Sequence, residues 1–423
     1  MQKELAVIIL AAGKGKRMKS DLPKVLHPLC GRPMLEYVLD LADSLRIKKK
    51  ALVLGKNYEL IKETINIKKN TEIIIQKQLL GTAHAVKMTQ PFFKNFQGQL
   101  LILYGDHPLF TKGTIQKLVK QHLNNKADLT LLTSYLKNPS GYGRIIRDKQ
   151  GCICAVLEED KLSDFQKKIE EANLGAFCFN KEKLFSALKQ IKNNNRQKEF
   201  YLTDVVELLY RRGAYIQAVV VADAEEARGI NSYSDLIQAN RIIQQRIHKR
   251  LIEKGVKILD PENTFIAYSA KIGQGSIIYP FTIIEKDVKI GKYCQVGPFA
   301  HLRELTVLED NATIGNFLEV VRSRIGSYTK AKHFGYLGDA HLAENINIGA
   351  GTVTANFDGK EKHPTFIKKG AFIGSDTVLI APVKIGAFAS TGAGAVVCRG
   401  NNVKDREVVA GVPAKPLKKI HQK

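Results

Sequence analysis

Between Leu10 and Lys24 the chain reads LAAGKGKRMKSDLPK, directly after the apolar run Ala6-Val7-Ile8-Ile9. The run predicts a buried strand, and the loop leaving it combines small residues with cations. Ala11, Ala12, Gly13 and Gly15, following Leu10, let backbone N–H groups approach an anion closely. Lys14, Lys16, Arg17 and Lys24 can neutralise it, so the chemistry on offer is polyphosphate binding at a strand end. Two well-known glycine loops are excluded. Met18 stands where a Walker A loop needs Gly-Lys-Ser/Thr to begin, and also where a dinucleotide fingerprint needs its third glycine. Further along, Asp106 closes the apolar segment LILYGD. Alone it could equally be a metal ligand or a cap for the next segment. His333, one of ten histidines, sits in KAKHFGYLGDA and by itself would be an ordinary structural residue.

The elements that must carry these residues fall into two patterns. Up to about Asn231, strand-like segments at 5–10, 51–54, 72–76, 100–104, 129–134, 174–179 and 216–221 alternate with helical ones such as 34–45 and 83–88. This predicts an α/β domain with a mainly parallel sheet, whose ligands bind at the carboxyl ends of the strands. From 234 to 254 the spacing of Leu236, Ile243, Ile247 and Leu251 is helical, with Gly255 as a stop. Beyond it Ile272, Ile278, Ile284, Ile290, Val296, Leu302, Leu308, Ile314 and Val320 recur every six residues. The register resumes at Ile367, Ile373, Leu379, Ile385, Thr391 and Val397. A six-residue period predicts a parallel β-helix with one inward aliphatic per short strand and glycine near the corners. The register breaks after Val320 and across 349–363, and breaks in a solenoid are often functional loops.

At 423 residues the chain exceeds a single core, and 44% hydrophobic with 25% charged residues is a globular composition. No apolar run reaches membrane-spanning length, and the start MQKELAVIILAAG is broken too early for a secretory signal. Six cysteines without a CxxC pair suit reduced thiols in a cytoplasm. The net charge of +24 is dispersed, so the expected partners are small polyanions rather than nucleic acid or membrane.

An LAAGxGxRM loop, a linker helix and a hexapeptide repeat, in that order, resemble one family along almost the whole chain. It is the bacterial bifunctional N-acetylglucosamine-1-phosphate uridyltransferase / glucosamine-1-phosphate N-acetyltransferase family. Gln76 in IIIQKQ, Gly81-Thr82 in LLGTAHA, Tyr104-Gly105-Asp106 in LYGDHPL, Gly143 in GYGRI, Glu158 in VLEED, Asn173 in EANLG and Asn231 in GINSYSDL carry the likeness further. The resemblance implies an α/β nucleotidyltransferase domain at 1–231, Rossmann-like with a mainly parallel sheet. A linker helix at 232–256 and a left-handed parallel β-helix acetyltransferase domain at 257–423 would follow. Acetyl-CoA would acetylate glucosamine 1-phosphate, and UTP would then transfer uridylyl to the product. Arg17 and Lys24 would hold the nucleotide phosphates beside Leu10, Ala11, Ala12 and Gly13, with Mg²⁺ on Asp106 and Asn231. Gln76, Gly81 and Thr82 would read uracil. Tyr104, Gly105, Gly143, Glu158, Asn173 and Asn231 would complete the nucleotide-sugar site.

In the second half the resemblance makes His333 the general base, oriented by Glu319 and Asn356. Arg303, Tyr336, Asn347 and Lys362 would bind the sugar phosphate, and Phe357, Ser375 and Ala393 would belong to the acetyl-CoA site. It also implies a homotrimer. The chain departs from the family pattern at Val321, usually lysine, and at Gly411, usually arginine. Two other readings of the same architecture are a uridylyltransferase whose β-helix only trimerises or regulates, and a non-catalytic scaffold.

Overall fold

The computed structural model describes residues 4–417 apart from Lys14, Arg196, Ala222, Ala224 and Ala227. They form two compact units, one of residues up to 29 with 33–242 and one of residues 30–32 with those from 243 on. The helix Tyr233–Glu253, expected at 234–254, runs through the boundary and stops before Gly255.

In the first unit the apolar runs become one twisted sheet. Its order is Ile216–Val220, Leu129–Tyr135, Glu171–Asn180, Gly98–Tyr104, Glu4–Ala11, Lys49–Leu54 and Thr71–Ile75. Neighbours are parallel except Glu171–Asn180, which runs antiparallel to both of its partners. The central strands are apolar on both faces, as a sheet covered by helices requires; Ala6, Val7, Ile8 and Ile9 are fully buried. The sequence reading did not anticipate the hairpin Arg144–Arg147/Ile153–Leu157, which joins the sheet through Glu171–Asn180. It also omitted the helices Lys112–Asn124, Lys181–Leu188 and Asp204–Arg211.

The second unit is a coil of short strands stacked into three sheets of ten, eight and seven strands, parallel except for Lys415–Pro416, which closes the first of them antiparallel to Val408–Ala410. Every third strand pairs, so Phe265 lies beside Ile283 and Lys271 beside Lys289, eighteen residues on. The six-residue period is therefore three strands per coil. Inward aliphatics are sealed: Ile278, Ile284, Val296, Leu302, Ile314 and Val320 have no exposed surface. Glycines follow several of them because the next coil crosses there. A Cβ on Gly315 would overlap the Lys332 carbonyl, and one on Gly374 would meet the Thr391 oxygen at 2.5 Å. The corners themselves hold non-glycine residues in the left-handed region, among them Phe281, Phe299 and Phe317 at φ 57°, 55° and 54°. The register also persists between the two breaks. Ile325, Ala331, Leu337, Leu342, Ile348 and Thr354 all point inward, with the steps from Val320 to Ile325 and from Leu337 to Leu342 shortened to five residues.

Candidate active site

Two neighbouring strands, Glu4–Ala11 and Gly98–Tyr104, end side by side and carry the anion loop and Asp106 from adjacent tips. Gly105 donates to the Leu10 carbonyl at 2.8 Å. A side chain there would meet the Ala11 Cβ at 3.0 Å, which explains the glycine before Asp106. Asn231 arrives from the start of the long helix. Ser232 and Asp235 form a reciprocal cap, and Asp235 Oδ2 also accepts from the Asn231 amide at 3.0 Å. The cap fixes the asparagine where the helix begins.

The three segments meet in a cleft of about 230 Å³ lined by Leu10, Ala11, Gly13, Arg17, Lys24, Asp106 and Asn231, together with Gly15 and Val25. Lys24 Nζ donates to Asp106 Oδ2 at 2.5 Å and to Asn231 Oδ1 at 2.8 Å. Arg17 Nη2 donates to the same Asn231 oxygen at 2.8 Å. Burial raises the Asp106 carboxyl, but the Lys24 charge and hydrogen bond outweigh it and hold the group below the usual carboxylate range. Asp106 is therefore ionised at neutral pH. The loop thus gathers two cations and two hard oxygen ligands at one strand edge, a set suited to a nucleoside polyphosphate and an oxygen-loving cation. Lys14 and the Lys16 side chain lie outside the described residues.

The remaining first-unit residues form connected pairs. Gln76, almost fully buried, donates to the Gly81 carbonyl at 3.1 Å and contacts His84 Nδ1 at 2.9 Å. Gly81 has φ +100°, and a Cβ there would strike Phe200 backbone at 2.5 Å. Thr82 Oγ1 accepts from the Leu202 amide at 2.9 Å and is hydrogen-bonded to the Tyr104 hydroxyl. The neighbouring Thr203 hydroxyl donates to Glu158 Oε1 at 2.8 Å. Burial raises the Glu158 carboxyl, and the nearby Asp160 and Asp204 add to it. Asn173 donates its amide to the Gly143 carbonyl at 2.8 Å, at an irregularity in the strand Glu171–Asn180. Thr203, His84 and Asp235 escaped the sequence reading. Only Asp235 had a legible signal, the Ser-x-x-Asp cap.

On the β-helix, Arg303 pairs with Glu319 at 2.8 Å, and Glu319 lies in register with Tyr336 on the next coil of the eight-stranded sheet. Asn356 Nδ2 donates to Asp339 Oδ2 at 2.5 Å and reaches the Tyr336 hydroxyl at 3.5 Å. Arg322 grips Asp339 with two hydrogen bonds of 2.7 and 2.8 Å. Val321, at the departing position, is fully buried. Lys362 bridges back to Phe357 in the loop after Asn356, and Phe357 is 59% exposed. His333 is exposed at a corner and makes no side-chain hydrogen bond among the described residues. Glu319 and Asn356, expected to orient it, bond instead to Arg303 and Asp339 within this chain. The corner holding His333 carries Ala350, Ser375 and Ala393 on the following coils, with Asp376 and Gly394 amides donating to Ala350 and Ser375 carbonyls. At about 4.8 Å per coil, His333 and Ser375 stand roughly 10 Å apart. Asn347 lies on the ten-stranded sheet, a different face from Glu319 and Tyr336.

Among the described residues no helix is long and apolar enough to cross a membrane. A nucleotidyl transferase family model matches residues 6–245, and a bacterial transferase hexapeptide (six repeats) model matches 269–304. Bifunctional protein GlmU of Thermosipho africanus (strain TCF52B) is 42% identical over 93% of this chain and 92% of its own length. Those of Geobacillus sp. (strain WCH70) and Thermotoga maritima are each 40% identical, over 92% and 93% of this chain and 92% and 93% of their own lengths. A nucleotidyl transferase match over more than half the chain, joined to relatives of this identity along nearly all of it, means that the chain belongs to the family of bifunctional GlmU proteins.

Proposed function

We propose that this chain makes UDP-N-acetylglucosamine by two transfers, acetyl from acetyl-CoA to glucosamine 1-phosphate and then uridylyl from UTP to the product. The observation that carries the reading is the convergence of Arg17, Lys24, Asp106 and Asn231 on one cleft at the ends of two parallel strands. In uridylyl transfer a sugar-phosphate oxygen attacks the α-phosphorus of UTP and pyrophosphate leaves, so charge must be neutralised and the partners aligned. Arg17 and Lys24 supply cations to the polyphosphate. Asp106 and Asn231 would hold Mg²⁺, which neutralises phosphate charge when bound. Their fit is supported by the Lys24 ammonium, a cation on which both oxygens already converge. Gln76, Gly81 and Thr82 read the base, and Gly143, Glu158 and Asn173 hold the sugar.

In acetyl transfer His333 takes a proton from the glucosamine ammonium, the free amine attacks the thioester carbonyl, and the thiolate of coenzyme A leaves. Arg303, Tyr336, Asn347 and Lys362 hold the sugar phosphate, with Phe357, Ser375 and Ala393 on the coenzyme A side. Domain limits of 1–231, 232–256 and 257–423 go with this division. A homotrimer, whose neighbouring copies would complete the exposed His333 corner, is supported by the ring stack of Phe281, Phe299 and Phe317. Those rings lie 4.8 and 4.9 Å apart on an exposed corner. Free cysteines and the substrates themselves favour the cytoplasm. Buried Val321 favours one second reading, in which the β-helix only assembles the uridylyltransferase. Purified protein given UTP, Mg²⁺ and N-acetylglucosamine 1-phosphate should release pyrophosphate. Given acetyl-CoA and glucosamine 1-phosphate it should release free thiol. No pyrophosphate would refute the first activity; no thiol would leave the second reading.

A further inference from the structure

Lys24 occupies an unusual place for a phosphate-binding lysine. Within the cleft its ammonium sits on Asp106 Oδ2 and Asn231 Oδ1, at 2.5 and 2.8 Å, with the side chain only 10% exposed. Both oxygens belong to the residues proposed above to hold the metal. An ammonium and a divalent cation cannot share the same lone pairs, and their charges repel at this range. The stem of the lysine is fixed: a Cβ on Gly15 would come within 2.7 Å of the Lys24 Cβ, so the loop packs directly on it. The four-carbon stem still leaves the ammonium free to turn.

We propose that Lys24 is a cation gate. Without nucleotide its ammonium holds the ligand pair in place of the metal, and the divalent ion binds well only after a polyphosphate has drawn the lysine away. The inference rests on the reading of Asp106 and Asn231 as metal ligands. It makes nucleotide and metal binding mutually supporting: the polyphosphate takes one cation from the carboxylate and makes room for another. Arg17 shares the Asn231 oxygen but has no bond to Asp106, so it tunes the gate without closing it. Apparent metal affinity falls in proportion to the fraction of molecules whose ligands are open. A lysine seated nine-tenths of the time or more therefore weakens free-metal binding by roughly tenfold or more.

The test is Mn²⁺ binding to the full chain without nucleotide, followed by the loss of the free-ion paramagnetic resonance signal. Lys24→Met should tighten Mn²⁺ binding by roughly tenfold or more, and Mn²⁺ should raise its Tm more than that of the wild type. Lys24→Arg, which keeps the charge, should stay as weak as the wild type. In EDTA, Lys24→Met should weaken UTP binding, because the same ammonium serves the phosphates. Lys24→Gln substitutes for Lys24→Met if the latter does not fold. Equal Mn²⁺ affinity in wild type and Lys24→Met, with binding lost in Asp106→Asn, would overturn the gate while keeping the metal site. Mn²⁺ binding indifferent to Asp106→Asn would overturn the metal assignment itself.

Discussion

Gly315→Ala should injure one activity from a distance and leave the other intact. Gly315 follows the inward Ile314, and its φ is not in the left-handed region, so alanine suffers no backbone strain there. The difficulty is space. The new methyl would overlap the Lys332 carbonyl and lie 2.6 Å from the Lys332 Cα on the next coil. The coils are tied by the Gly315 amide donating to the Ala331 carbonyl at 2.8 Å. Reaching ordinary contact opens the coil spacing locally by about 1 Å, and the overpacking and stretched hydrogen bonds together cost about 3 kcal/mol. For a unit of this size that lowers its Tm by about 6–12 °C. Lys332 directly precedes His333, and displacing a reacting group by about 1 Å costs on the order of a hundredfold in rate. Thiol release from acetyl-CoA should therefore fall steeply, whereas pyrophosphate release from UTP should not change. Gly113→Ala is the control. It lies in the helix Lys112–Asn124 with its nearest contact at 3.8 Å, so it should be neutral or stabilise by about 0.5–1 kcal/mol. Wild-type Tm and wild-type acetyl transfer in Gly315→Ala would refute the account of why glycine follows the inward aliphatics.

Asp106→Asn should reduce uridylyl transfer by roughly a hundredfold or more and leave acetyl transfer unchanged, measured by pyrophosphate and thiol release on the same preparation. His333→Ala should do the reverse, with loss of roughly a hundredfold or more in acetyl kcat; retained acetylation would refute the general-base role. Hydrogen bonds from Arg322 hold the Asp339 carboxyl below its ordinary value in the folded state. Its stabilising contribution is thus present above the unfolded pKa of about 4 and is lost as pH falls through the lower folded value. Urea unfolding of Asp339→Asn should accordingly show a flatter acid limb than the wild type, and an unchanged limb would contradict the assignment. Leu302→Ala, at a position with no exposed surface, should cost about 2–5 kcal/mol by the same measurement.

How much of this was legible depends on whether the signal is local. The central strands of the first sheet announced themselves because both of their faces are buried, and each expected segment of that sheet lies within a few residues of an observed one. The hairpin Arg144–Arg147/Ile153–Leu157 did not, since its short strands flank the polar stretch DKQG and alternate only briefly. The six-residue period was readable wherever the inward residue is a large aliphatic. It faded between 320 and 354, where small Ala331 and polar Thr354 fill inward positions and two steps shorten to five. In the site, the anion loop, Asp106 and the cap behind Asn231 were local patterns. The Thr203–Glu158 bond spans 45 positions and has no sequence signature.

The two breaks in the solenoid looked independent in the sequence, yet they meet in space. Coil-to-coil pairing is eighteen residues up to His301 and Glu319, seventeen from Val307 and Arg324, and twenty-five from Ala340 and Thr365. Arg322 holds the corner of the shortened turn at φ 46°, as the corner residues before it do, and its guanidinium takes both oxygens of Asp339. The inserted residues begin at Asn356, which donates to the same carboxylate, and the His363 amide closes the excursion on the Asn356 carbonyl at 2.7 Å. One aspartate thus ties the shortened coil to the lengthened one. A neutral insertion would have no reason to be anchored to a deletion one coil away. The tie also keeps Tyr336 and Asn356 together beside the loop that carries Lys362. Val321, sealed beneath it, can offer a sugar-phosphate site no charge, and of the nearby cations Arg303 and Arg322 are already paired with carboxylates.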